Sequence, residues 1–132
     1  MSFVSGMAIG AVMAAAVTAP VRLFDRDRAL DLLAIQLAAI GAIYAGFALV
    51  DVRLSVQVTE IVGALVFFAV SAVGLWFSPL VLALAYIAHG AWDTVHHLGA
   101  VSTAIPRWYP SFCLGYDWLV AAYIWNRFSR DD

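Results

Sequence analysis

Five long apolar stretches, separated by short polar or proline-containing segments, make up most of the chain. A helix needs about 20 mostly apolar residues to cross a bilayer, with roughly 17–25 tolerated. Helices rather than open strands satisfy the backbone in lipid. The pattern therefore predicts an all-α integral membrane bundle in one domain, with about five transmembrane helices. Their predicted ranges are 3–20, 30–50, 54–77, 79–99 and 109–126.

The segments between these stretches contain signals for helix ends. Residues 22–31, RLFDRDRALD, form the most charged loop, in which Asp25 or Asp27 is suited to cap the next helix. Ser78 followed by Pro79 predicts a sharp helix start, because serine caps well and proline is tolerated at the first helical position. The first stretch has no basic segment before it, which favours a retained span over a signal peptide.

Composition supports a membrane protein and argues against a nucleic-acid-binding or disulfide-stabilised protein. The chain is 64% hydrophobic and 12% charged, whereas soluble domains are closer to one quarter charged. A net charge of −2 without a basic patch argues against a nucleic-acid partner. Cys113 is the single cysteine, so the chain forms no internal disulfide and no cysteine-rich zinc site.

The arginines predict the orientation of the bundle, since cytoplasmic loops are enriched in basic residues. The loop at 22–31 has three arginines and the C-terminal tail has two, Arg127 and Arg130. Both segments fall on the same side when spans alternate. We therefore expect the N-terminus outside and the C-terminus in the cytoplasm, in a bacterial inner membrane.

The strongest functional signal is the segment HGAWDTVHH in the fourth stretch, which contains every histidine of the chain. His89, Asp93 and His96 are spaced i, i+4 and i+7, so they share one helix face. His97 lies to the side of that face. Ionisable residues inside a membrane are costly and usually mark a functional site.

Acidic residues of two further helices are expected at a similar depth. With about 1.5 Å of rise per residue, Asp93 lies roughly 9 Å below the outer end, Glu60 roughly 9 Å and Asp117 roughly 12 Å. The third helix presents small or polar residues on the face of Glu60, which favours an inward orientation. Three helices are therefore predicted to bring acids and histidines to one layer in the outer half of the bilayer.

Imidazoles and carboxylates together are ligands for zinc or non-haem iron. The spacing Asp93-x-x-His96 is similar to the acid-and-histidine pair of dimetal helical bundles, with aspartate for glutamate. The predicted catalytic acid or base is Glu60 or Asp117. The predicted metal ligands are His89, Asp93, His96, His97, Asp117 and Glu60.

The last third of the chain resembles a family of small uncharacterised bacterial integral membrane proteins. The resemblance rests on the segments AHGAWDTVHH and PRWYPSFCLGYDWLVAAY and covers roughly the last 45 residues. It implies a membrane protein and supplies no activity. The shared positions are His89, Trp92, Asp93, His96, His97, Pro106, Trp108, Tyr109, Cys113 and Asp117.

These patterns favour a membrane-embedded metal-dependent enzyme, a hydrolase or an oxidase, acting on a lipidic or isoprenoid substrate. One alternative is a metal-free intramembrane isomerase in which Glu60, His89 and Asp93 transfer protons. Another is a non-enzymatic accessory subunit, an ion or proton conductor, or a haem protein with His89 as axial ligand. The expected partners are the lipid bilayer and a lipidic small molecule, within a homo-oligomer or a larger membrane complex.

Overall fold

The computed structural model of the protein describes residues 2–99 and 105–129. The described residues form five α-helices and no strand. The helices are α1 (Phe3–Val21), α2 (Arg26–Ala48), α3 (Leu54–Trp76), α4 (Pro79–His97) and α5 (Tyr109–Phe128). The all-α prediction is confirmed.

Three of these helices, α1, α2 and α3, are long and apolar enough to cross a membrane. Helix α4 is not among them, and its C-terminal half contains the three histidines and Asp93. A membrane association is therefore supported.

Helix α2 begins four residues earlier than predicted. Asp25 caps it, since its side chain accepts a hydrogen bond from the backbone N–H of Arg28 at 2.9 Å. The arginines at 26 and 28 suggested a loop, but the cap places them in the first turn of the helix. Between α2 and α3, Asp51 pairs with Arg53 at 2.7 Å, and these hydrogen bonds lower the pKa of Asp51 to about 2.

Helix α4 starts as predicted and ends two residues early. The Ser78 side chain accepts a hydrogen bond from the N–H of Leu80, with Pro79 at the first helical position. At the other end, Gly99 has a φ of 75°, and its N–H bonds back to the carbonyl of His96. This left-handed residue terminates the helix, because glycine adopts such a conformation without a steric penalty.

Helices α4 and α5 pack together at the centre of the bundle. Helix α1 packs on α5, α3 packs on α4, and α2 packs on α3. Helix α1 approaches α5 very closely: a Cβ on Gly10 would lie 1.9 Å from the carbonyl oxygen of Phe112, and one on Gly115 would lie 2.1 Å from that of Met7. Gly6, Gly10 and Ala14 recur every four residues on the buried face of α1, and these small residues allow close backbone contact with α5.

The bundle has an apolar core at one end and polar side chains at the other. Leu33, Leu37, Leu82 and Ile124 are fully buried in the apolar part. The buried acids and histidines lie in the C-terminal half of α4 and the N-terminal halves of α3 and α5, and Tyr44, near the C-terminal end of α2, is buried with them. Helices α2, α3, α4 and α5 alternate in direction along the chain, so these four segments meet in one layer.

Candidate metal and proton-transfer site

His89 and Asp117 form the centre of the buried polar layer. Nδ1 of His89 lies 2.7 Å from Oδ2 of Asp117, across the contact between α4 and α5. Both side chains have no exposed surface. The other ring nitrogen of His89, Nε2, is buried and has no hydrogen-bond partner, and the same is true of Oδ1 of Asp117.

Asp93 completes this cluster from the next turn of α4. Its Oδ2 lies 3.4 Å from Nδ1 of His89, as the i, i+4 spacing predicts. Oδ1 of Asp93 accepts a hydrogen bond from the hydroxyl of Tyr44, whereas Oδ2 has no hydrogen-bond partner. The three residues His89, Asp93 and Asp117 offer ligand atoms that all lie within 4.8 Å of one another.

Glu60 and His96 form a separate pair between α3 and α4. Nε2 of His96 lies 2.6 Å from Oε1 of Glu60, and both side chains are almost fully buried. Nδ1 of His96 lies 2.9 Å from the backbone carbonyl of Trp92, one turn earlier. Both nitrogens of His96 are therefore engaged, while Oε2 of Glu60 has no hydrogen-bond partner.

Tyr44 lies between the two groups. Its ring centroid is 4.2 Å from that of His96 and 6.0 Å from that of His89. Its hydroxyl bonds to Asp93, so one side chain of α2 contacts both groups. In the sequence, only the position of Tyr44 near the end of the second helix points to this layer. A tyrosine in an apolar helix is usually a packing residue, so its residue type gives no further indication.

His97 lies apart from these groups. It is exposed, and its ring packs on Phe3 with centroids 4.5 Å apart. His97 follows His96 directly, so its side chain is rotated by about 100° around the helix axis and leaves the buried face. Of the six predicted ligands, three form the cluster, two form the Glu60–His96 pair, and His97 is outside both.

Among the described residues, the acidic and basic side chains buried in this layer are carboxylates and imidazoles. Three buried carboxylates, those of Glu60, Asp93 and Asp117, face two buried imidazoles. Arg107 lies two residues before α5 and is exposed. Asp117 is fully buried, and its ion-pair partner among the described residues is His89. Protons or a bound cation must therefore balance the remaining negative charge, because an unpaired buried charge is very costly.

Comparison with known proteins places the chain in one family. A model described as a family of unknown function, DUF6010, matches residues 1–130. No curated protein and no solved structure matches the chain. Since the match spans nearly the whole sequence, the chain belongs to DUF6010, a family of unknown function.

Proposed function

We propose that this protein is a membrane-embedded metal-dependent enzyme, a hydrolase or an oxidase, that acts on a lipidic or isoprenoid substrate. A zinc or iron ion would be held by His89, Asp93 and Asp117. The observation that supports this most strongly is a set of buried polar atoms without hydrogen-bond partners. Three of them, Nε2 of His89, Oδ2 of Asp93 and Oδ1 of Asp117, belong to the three residues that offer ligand atoms within 4.8 Å of one another, with both carboxylates at the Nδ1 corner of the His89 ring.

A divalent cation would resolve the electrostatics of this cluster. Two carboxylates with no exposed surface lie beside one imidazole, and buried carboxylates are stable only when they are paired, protonated or bound to metal. Three protein ligands also leave an open position for water or substrate, as in catalytic zinc sites. The metal would lower the pKa of a bound water or bind oxygen.

The Glu60–His96 pair supplies the acid or base in this proposal. Both nitrogens of His96 are occupied, so His96 orients Glu60 instead of binding the metal. Oε2 of Glu60 remains free to exchange a proton. Asp117, the other predicted catalytic residue, would instead be a metal ligand, because its carboxylate lies beside the ring of His89.

The proposed lipidic substrate class is supported by the apolar surroundings of the helices. Helices α1 to α3 suit a bilayer, and we place α4 and α5 in it as well, with the N-terminus outside. An apolar groove of about 360 Å³ opens between α4 and α5. Trp118, which lines it, follows Asp117 in the chain and packs against Gly90, next to His89. The groove's lining residues are Ile87, Trp118, Ala121, Ala122 and Trp125.

The proposal is tested by comparing the lipids of membranes that contain wild-type protein with those that contain His89→Gln. We expect one lipid or isoprenoid species to be depleted, and a product to appear, only with the wild-type protein. Zinc in the purified protein would indicate hydrolysis, because zinc has no redox chemistry, whereas iron would indicate oxidation. Identical lipid profiles in a host that supplies both metals would contradict the enzymatic part of the proposal. A lipid change without any bound metal would instead favour metal-free acid–base chemistry.

A further inference from the structure

Among the residues that the structure describes, Tyr44 is the side chain of α2 that contacts both groups of the polar layer. The residue is 1% exposed. Its ring packs against His96 and Tyr109, with centroids 4.2 Å and 5.7 Å away. These two contacts restrict the ring, and its hydroxyl donates to Asp93.

This hydrogen bond makes the two oxygens of Asp93 different. Oδ1 accepts from Tyr44, while Oδ2 has no hydrogen-bond partner and lies 3.4 Å from Nδ1 of His89. The carboxylate is therefore turned so that its free oxygen faces His89, and His89 in turn contacts Asp117. A donor on one oxygen of a ligating carboxylate orients the ligand and tunes the metal.

We propose that Tyr44 is a positioning residue that makes Asp93 a one-oxygen ligand and thereby keeps a coordination position of the metal open. This inference rests on the proposed metal site. Without the Tyr44 hydroxyl, both oxygens of Asp93 would be available, so the carboxylate could bind through two oxygens or rotate away from the metal. Either change alters the affinity and the coordination number.

Cobalt(II) is a suitable probe, because its visible absorption reports the number and geometry of its ligands. Purified full-length wild-type protein, Tyr44→Phe and Tyr86→Phe would each be stripped of metal and titrated with cobalt chloride in detergent. Tyr86 is the matched control, since it is also fully buried, but its hydroxyl donates to the carbonyl of Leu33 at 2.7 Å and lies 3.0 Å from Oε1 of Gln36. Thermal unfolding of the apo-proteins would report their stability.

We expect Tyr44→Phe to bind cobalt about 10- to 100-fold more weakly, the usual effect of losing such an outer contact. Its visible spectrum should also change in intensity and position, which a purely structural role would not cause. Tyr86→Phe should match the wild-type affinity and spectrum. A wild-type protein that binds cobalt, together with a Tyr44→Phe variant of unchanged spectrum and affinity, would overturn this inference and leave the metal site intact. A wild-type protein that binds no cobalt would overturn both.

Discussion

Nε2 of His96 lies 2.6 Å from Oε1 of Glu60, while the other ring nitrogen lies 2.9 Å from the carbonyl oxygen of Trp92. A carbonyl only accepts, so Nδ1 must carry a hydrogen. One further proton is then shared between Nε2 and Glu60. Whichever atom holds it, the pair is neutral overall, which suits its burial between α3 and α4.

This arrangement predicts that the pair is important for stability and not for metal binding. His96→Ala would leave Glu60 buried without a partner, a change that costs about 3–5 kcal/mol for a broken buried pair. Glu60→Gln should cost much less, because the amide can still donate to Nε2. Thermal unfolding in detergent measures the difference. Both variants should keep their metal, and loss of metal in the folded Glu60→Gln protein would place Glu60 among the ligands.

The contact between α1 and α5 makes a second prediction. Gly10→Ala should destabilise the protein by about 1–3 kcal/mol, the usual cost of overpacking, because its Cβ would meet the backbone of Phe112 at 1.9 Å. Gly46→Ala is the control, since nothing lies within 4 Å of its Cβ. Unfolding temperatures of the two variants in the same detergent test this. Equal temperatures would mean that α1 does not pack on α5 as described.

The proposed orientation predicts which chain end an impermeant thiol reagent reaches. Ser2→Cys should react with a membrane-impermeant maleimide in intact cells. Ser129→Cys should react only after the membrane is permeabilised. The wild-type protein provides the background, because its one cysteine, Cys113, is buried. The reverse labelling pattern would place the polar layer in the cytoplasmic half of the bilayer. Arg130, which was counted in predicting this orientation, lies outside the described residues.

Much of the fold follows from local patterns along the chain. The apolar stretches predicted five helices, and Ser78 with Pro79 marked the start of α4 correctly. The start of α2 was wrong, because charged residues at 26–28 suggested a loop, whereas Asp25 caps a helix that includes them. Charged residues do not exclude a helix when an aspartate caps its first turn.

The site was predictable only to the level of one helix face. The spacing of His89, Asp93 and His96 places all three on the same side of α4, and all three are buried. It does not say which acid of a neighbouring helix each one meets, because this depends on helix rotation and on crossing geometry. His89 contacts Asp117 of α5, whereas His96, two turns away, contacts Glu60 of α3.

The most direct test of the proposed metal centre is the elemental analysis of detergent-purified wild-type protein, His89→Gln and His97→Gln, each shown to be folded by thermal unfolding. His97 is the matched control, since it is exposed and packs on Phe3. We predict about one zinc or iron ion per chain in the wild type and in His97→Gln, as for a three-ligand catalytic site, and a ratio near zero in His89→Gln. A folded wild-type protein without metal, or a His89→Gln protein that keeps it, would contradict the account.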